Sequence, residues 1–342
     1  MGNRHKAVYW RRALQVAALA GGFACLHPGV SAADAQYVMK FGTATMNETQ
    51  HQFIKFYKDA VEKASGGRIE VDIYPNSQLG PIPREIEGVQ LGSIQGFIAP
   101  VDFFVGVDQR YSVFSSPMLF RDEANAAATI HDPAIEKEML GFVAAKGMVG
   151  IGTVNLGAAD YGAKRPILRL ADFNGKKLRI NGTELERAKM SKLGASGVAM
   201  PLSEVVPALD QGTIDGTISG LSIFVAFKMN DLVKVVTVTN DTMIVSMAVV
   251  SKAWLDTLPP DLQKIVIDTG HATGIQAQEW EVQFTQQLEQ TWNSMGGQVQ
   301  RLPAADMAQM KTLLSGVGDD VTKDQPAVHD LLVRVRAAAA KH

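Results

Sequence analysis

From Tyr37 onward the apolar positions change period several times, and each change marks an element. Tyr37 to Gly42 is a short apolar run; Phe53, Phe56, Tyr57, Ala60, Val61 and Ala64 then recur at helical spacing across 50–64, with Gly66-Gly67 closing the helix. Arg68 to Tyr74 alternates as a half-buried strand and turns at Pro75-Asn76. The pattern predicts a helix over 83–91, a buried strand over 96–99 and one or two helices over 122–145. A second block follows, with strands over 148–154 and 177–180 and a helix over 184–193. Ser203 is read as the N-cap of a helix to Gln211 that ends at Gly212. Ile214 to Ile218, Val233 to Val238 and Ile244 to Val250 read as strands, the last two β-branched enough for central positions.

After Pro259-Pro260 a helical pattern runs from Asp261 to Met295, either as one helix of about 50 Å or as two joined near Gly270 to Gly274. A strand over 298–301 and helices from Ala304 complete the chain. Strand-helix alternation throughout predicts an α/β fold with mainly parallel sheets covered on both faces. At 342 residues the chain exceeds what one hydrophobic core supports, so at least two lobes are expected.

The first 35 residues follow another rule. Arg4, Lys6, Arg11 and Arg12 precede an apolar run from Ala13 to Leu26 without an acidic residue, and small residues suited to signal peptidase follow it. This predicts an export signal over 1–35, cleaved after Ala32 or Ala35, and hence a periplasmic protein. A retained anchor, a lipoprotein attached at Cys25 and the twin-arginine route are the rivals; the Leu expected three residues before a lipoprotein cysteine is missing. Cys25 is the only cysteine, so the mature chain has no thiol for a disulfide, a metal site or nucleophilic chemistry. Cleavage after Ala32 removes four basic residues and leaves 29 Lys and Arg against 35 Asp and Glu, a net charge of about −6. Nucleic acid is therefore an unsuitable partner.

Longer phrases carry a resemblance. Gly66 to Ile94 (GGRIEVDIYPNSQLGPIPREIEGVQLGSI), Ser115 to Asp122 (SSPMLFRD), Asp172 to Gly216 (DFNGKKLRINGTELERAKMSKLGASGVAMPLSEVVPALDQGTIDG) and Leu258 to Val266 (LPPDLQKIV) are similar, in order and spacing, to the DctP-type substrate-binding proteins of tripartite ATP-independent periplasmic (TRAP) transporters. The resemblance implies a two-lobed clam whose hinge the chain crosses more than once and whose long helix backs both lobes. The implied lobes are 36–155 plus 245–285 and 156–244 plus 286–342. It also implies a small organic acid held between the lobes, membrane permease subunits as partners, a monomer, no cofactor, and no catalysis.

Within that resemblance Arg179, in KKLRI, stands where the family places its carboxylate-binding arginine. A guanidinium suits the role because it stays charged when desolvated and offers two parallel N–H donors. Two departures shrink the polar inventory. Ala158, in NLGAADYGAKRPI (Asn155 to Ile167), replaces a second arginine, and Ser219 replaces the asparagine of an ENP phrase. Two ligands fit these departures: a monocarboxylate with an apolar or aromatic body, or a zwitterion whose ammonium meets Asp160. Otherwise Asp160 needs a cationic partner such as Lys164 or Arg165, or solvent, since an unpaired buried carboxylate is costly. Asn47, Asn155, Tyr161, Phe103 in PVDFF, Phe224 or Phe227, and Asn240 are expected cleft residues from their place in the pattern.

Other motifs fail. Gly150 to Gly157 (GIGTVNLG) lacks the GxGxxG spacing, no GxSxG surrounds Ser219 or Ser222, and His51, His131, His271, His329 and His342 show no metal-ligand spacing. A periplasmic sensor docking on a receptor kinase and an unrecognised hydrolase remain as the alternatives to a transport component.

Overall fold

The computed structural model describes residues 36–342; the expected export signal, its cleavage points and Cys25 lie outside the described residues. The chain begins with β1 (Tyr37–Thr43), α1 (Thr49–Ala64), β2 (Ile69–Tyr74), α2 (Ile82–Leu91) and β3 (Gly96–Pro100). Tight 3₁₀ turns at Val101–Phe104 and Gln109–Ser115 lead to α3 (Glu123–Ile130) and α4 (Pro133–Gly141). Next come β4 (Met148–Ala158), β5 (Asp160–Ala163), β6 (Lys177–Ile180), α5 (Glu184–Lys192), β7 (Ser196–Ala199), α6 (Val205–Gln211), β8 (Gly216–Ser219) and α7 (Leu221–Ala226). The remainder is β9 (Val235–Val238), β10 (Met243–Ser251), α8 (Lys252–Leu255), α9 (Pro260–Ser294), β11 (Gln298–Arg301), α10 (Ala304–Leu314), α11 (Val317–Thr322) and α12 (Pro326–Ala339).

Local chemistry accounts for most boundaries. Burial of Phe53, Ile54, Tyr57 and Val61 docks α1 by one face, and the Glu48 carboxylate caps its start by accepting from the His51 N–H. The α5 start is a reciprocal capping box between Thr183 and Glu186. Ser203 is not the N-cap expected of it. It sits inside a 3₁₀ turn (Leu202–Glu204), and α6 starts only afterwards, with no side-chain cap. Gly212 does end α6 in the left-handed conformation, at φ 72°.

Two sheets define two lobes, one five-stranded in the order β2-β1-β3-β10-β4 and one six-stranded in the order β11-β9-β5-β8-β6-β7. Both are mixed. β1 pairs in parallel with β2 and β3, as β6 does with β7 and β8 and β11 with β9, whereas β10 and β5 run antiparallel to both of their neighbours. Each of these two strands is entered directly from a strand of the other sheet. β4 leaves the first sheet and continues through Ala159 into β5 of the second, and β9 returns through residues 239–242 to β10. The crossings are tied together where the Ala159 N–H donates to the Thr242 carbonyl at 2.9 Å.

The helix over 260–294 is continuous, with Gly270 and Gly274 inside it. It packs on β4 and α1 of one lobe and on α7 and β11 of the other. Near the chain end, α12 lies against α3 and the Gln109–Ser115 turn, and the Asn125 amide donates to the Ala339 carbonyl at 2.8 Å. The C-terminal segment thus returns to elements of the first-sheet side.

Candidate functional site

Alternation along β6 prepares the central residue. Leu178 and Ile180 enter the apolar core on one face of the second sheet, so Arg179 projects from the other, beside Thr217 of β8. It is 3% exposed. Its Nε donates to the Met200 carbonyl at 3.0 Å and its Nη1 to that of Ile218 at 3.5 Å, which fixes the plane of the guanidinium. Among the described residues no carboxylate pairs with it. Burial pulls its pKa down to about 10, opposed by Glu186 and Asp102, so it remains a cation at neutral pH.

Arg179 opens into a narrow cleft pocket between the two sheets. The first lobe supplies Thr45, Gln50, Ile82, Pro100, Phe103 and Leu156; the second supplies Asn181, Leu202, Ser219, Ser222 and Ile223. The Phe103 ring lies 5.8 Å from the guanidinium carbon, so a cation–π contact joins the lobes. No carboxylate lines the pocket, and Arg179 is its one charged lining residue among the described residues.

Behind this wall lies a polar network that the sequence reading missed. The Asn181 amide donates to Asp102 Oδ2 at 2.7 Å across the interlobe gap, and the Ser115 hydroxyl donates to the same carboxylate. Asp102 is half-buried as a residue, but its carboxyl group is desolvated; that burial, with Glu186 nearby, pushes its pKa to about 7. Deeper still, the Lys189 ammonium meets Asp241 Oδ2 and the Thr242 hydroxyl, each at 2.9 Å, fastening α5 to the returning crossover. Burial alone would raise the Asp241 pKa, yet Lys189 and hydroxyl donors from Thr239 and Thr242 hold it below its ordinary value.

Of the residues named from sequence, Arg179, Ser219 and Phe103 share this pocket. Ala158, Asp160 and Asn240 line a neighbouring recess with Glu123 and Arg301, which meets the pocket only at Leu156 and Ser222. Asp160 has neither partner anticipated for it: it is 4% exposed, the Lys164 ammonium is turned to the Asp210 carbonyl, and Asp160 Oδ1 has no hydrogen-bond partner. Burial, with Glu123 and Asp241 close by, raises its pKa well above the ordinary carboxylate range. Tyr161 follows Asp160 along β5 and therefore faces the opposite way, donating to Asp241 Oδ2 at 3.2 Å and meeting Phe173 edge-on.

Phe224 is core, its ring over Gly162 and edge-on to Trp292 at 6.1 Å. Phe227 packs at the edge of the same core. Asn155 is buried in β4, its backbone N–H bonded to Gln278, and Asn47 is an exposed left-handed residue before α1. None of these lines the cleft pocket.

Two mixed α/β lobes flanking a pocket around a desolvated arginine have the architecture of a two-lobed solute-binding clam. The profile described as "Bacterial extracellular solute-binding protein, family 7" matches residues 41–324, and the chain belongs to that family. It is similar to the C4-dicarboxylate-binding periplasmic protein DctP of Rhodobacter capsulatus, with 31% identity over 292 residues, 83% of this chain and 85% of the relative. A TRAP periplasmic solute-binding protein from Xanthobacter autotrophicus Py2, solved with β-D-galacturonate, superposes with a TM-score of 0.81 at 25% identity, covering 87% of this chain and 99% of that one. One from Sulfurospirillum deleyianum, solved with succinate, shares the fold at a TM-score of 0.83 and 23% identity, covering 89% and 99%. The chain is thus a TRAP-type solute-binding protein, a transport component and not an enzyme.

Proposed function

We propose that this protein captures a small organic acid, a monocarboxylate in preference to a dicarboxylate, through an ion pair between the ligand carboxylate and Arg179. In this reading it acts in the periplasm after removal of its export signal and delivers the closed complex to the membrane permease subunits. One observation carries the reading: among the described residues a single cation, buried and bonded to backbone carbonyls but to no carboxylate, lines a pocket whose other walls are mostly apolar. One carboxylate would satisfy Arg179, while a second would be desolvated without a partner. Asp160 lies in the recess beyond Ser222, away from the Arg179 wall, which favours a monocarboxylate over a zwitterion.

A thermal-shift and calorimetric screen of matched mono- and dicarboxylates tests this. Monocarboxylates should bind more tightly, and Arg179→Lys should cost about 2 kcal/mol of affinity while leaving ligand-free stability nearly unchanged, because an ammonium cannot reproduce the paired N–H geometry. Stronger stabilisation by dicarboxylates would refute the preference, and unchanged affinity in Arg179→Lys would remove Arg179 from the site.

A further inference from the structure

We infer that Asn181, oriented by Asp102, makes the cleft selective for 2-hydroxy monocarboxylates over 2-oxo and unsubstituted ones; the inference rests on the Arg179 reading above and deepens it. Asn181 follows Arg179 by two residues, immediately after the end of β6, and both line the cleft pocket. Its amide stands between the ligand pocket and the buried network behind, and lines both.

The amide's orientation is set from the first lobe. Both Asp102 oxygens are taken up as acceptors, one by the Ser115 hydroxyl and the other, at 2.7 Å, by the NH₂ end of Asn181. The carbonyl end, Oδ1, is then left on the pocket side, where among the described residues it has no hydrogen-bond partner and is not sealed from the cavity. An acceptor adjacent to the carboxylate anchor asks for a donor on the carbon next to the ligand carboxylate. A keto oxygen there would face another lone pair, and a methylene would leave Oδ1 desolvated without a bond. An ammonium would donate as well, but no carboxylate lines the pocket to offset its charge, so the hydroxyl is the fitting donor. Because the Asn181–Asp102 bond spans the lobes, this orientation belongs to the closed state.

The test is calorimetry on the purified protein with two matched series: lactate, pyruvate and propanoate, and 4-methylpentanoate with its 2-hydroxy and 2-oxo forms. In at least one series the 2-hydroxy acid should bind about tenfold more tightly than both analogues, the worth of one such hydrogen bond. Asn181→Leu should erase that advantage, bringing the 2-hydroxy acid to within about twofold of the unsubstituted acid of its series, a ratio that a change in lobe closure common to both ligands would not move. A merely structural role would lower both affinities together. Asp102→Asn, which frees the amide to turn, should narrow the gap between hydroxy and oxo acids. Equal affinity for hydroxy and unsubstituted acids, or a parallel loss of both in Asn181→Leu, overturns the inference while leaving Arg179 in place. Failure of every monocarboxylate to bind, or binding indifferent to Arg179→Lys, defeats the underlying reading and this inference with it.

Discussion

Arg179 and Glu85 are two buried ionisable groups that burial leaves in different states. Arg179 is buried but partly satisfied by carbonyls, and it lines the cleft pocket, where the proposed reading gives it an incoming carboxylate as partner. Glu85 of α2 is fully buried, neither of its carboxylate oxygens has a hydrogen-bond partner, and it occupies the space beside Gly42 where a Cβ would fall 2.2 Å from Oε2. Burial raises its pKa to about 8, so it is mostly protonated at neutral pH. The folded protein therefore keeps a proton that the unfolded chain releases near the ordinary carboxylate value. Stability should fall as the pH rises from about 5 through about 8. Urea melts at pH 6 and pH 9 should show this loss, and Glu85→Gln should reduce it; an undiminished loss in the variant would assign it to other acids.

The long helix α9 shows how a residue type can mislead at the scale of an element. Glycine is the second-worst helix former, so Gly270 and Gly274 read equally well as a break. Their role is instead close approach. A Cβ on Gly270 would lie 2.6 Å from that of Ile151, and one on Gly274 would lie 2.7 Å from the Thr153 carbonyl oxygen, both on β4. At an exposed position Gly→Ala gains about 1 kcal/mol of helix propensity. Gly274→Ala should instead lower stability by about 1–3 kcal/mol in chemical denaturation, because the obstructing atom is backbone and cannot swing aside. A stabilised variant would show that the contact yields. The same scale explains Tyr161 and Asp160: adjacent on β5, they face opposite sides, and only knowledge of which side is the cleft assigns them.

For the whole molecule, the cleft walls come from both lobes, and the Arg179–Phe103 and Asn181–Asp102 contacts exist only while the lobes are together. Ligand should thus favour closure. Small-angle scattering should record a smaller radius of gyration at saturating ligand, and an unchanged radius would argue against lobe rotation. At a hundredfold excess over Kd the ligand should add about 2.7 kcal/mol to the unfolding free energy. Much of the fold was legible beforehand, since apolar period marks strands and helices locally and the family phrases lie along the chain in order. Arg179 was legible for the same reason, being fixed by its phrase and by its place in an alternating strand.

The sequence by itself therefore determined most of the longer elements, the two-lobed class and the place of Arg179 in a strand, all of which follow from periodicity and contiguous motifs, while the short β5, β7, α7 and α8 went unread. Only the tertiary structure decided which residues stand beside that arginine. It brought Phe103, Gln50 and Asn181 to the pocket, moved Asp160 and Ala158 to the next recess, and buried Phe224 and Tyr161 in the cores. Those placements depend on how two sheets face one another across strands that cross the hinge. Residues more than a hundred positions apart meet there, and no local pattern encodes their distance.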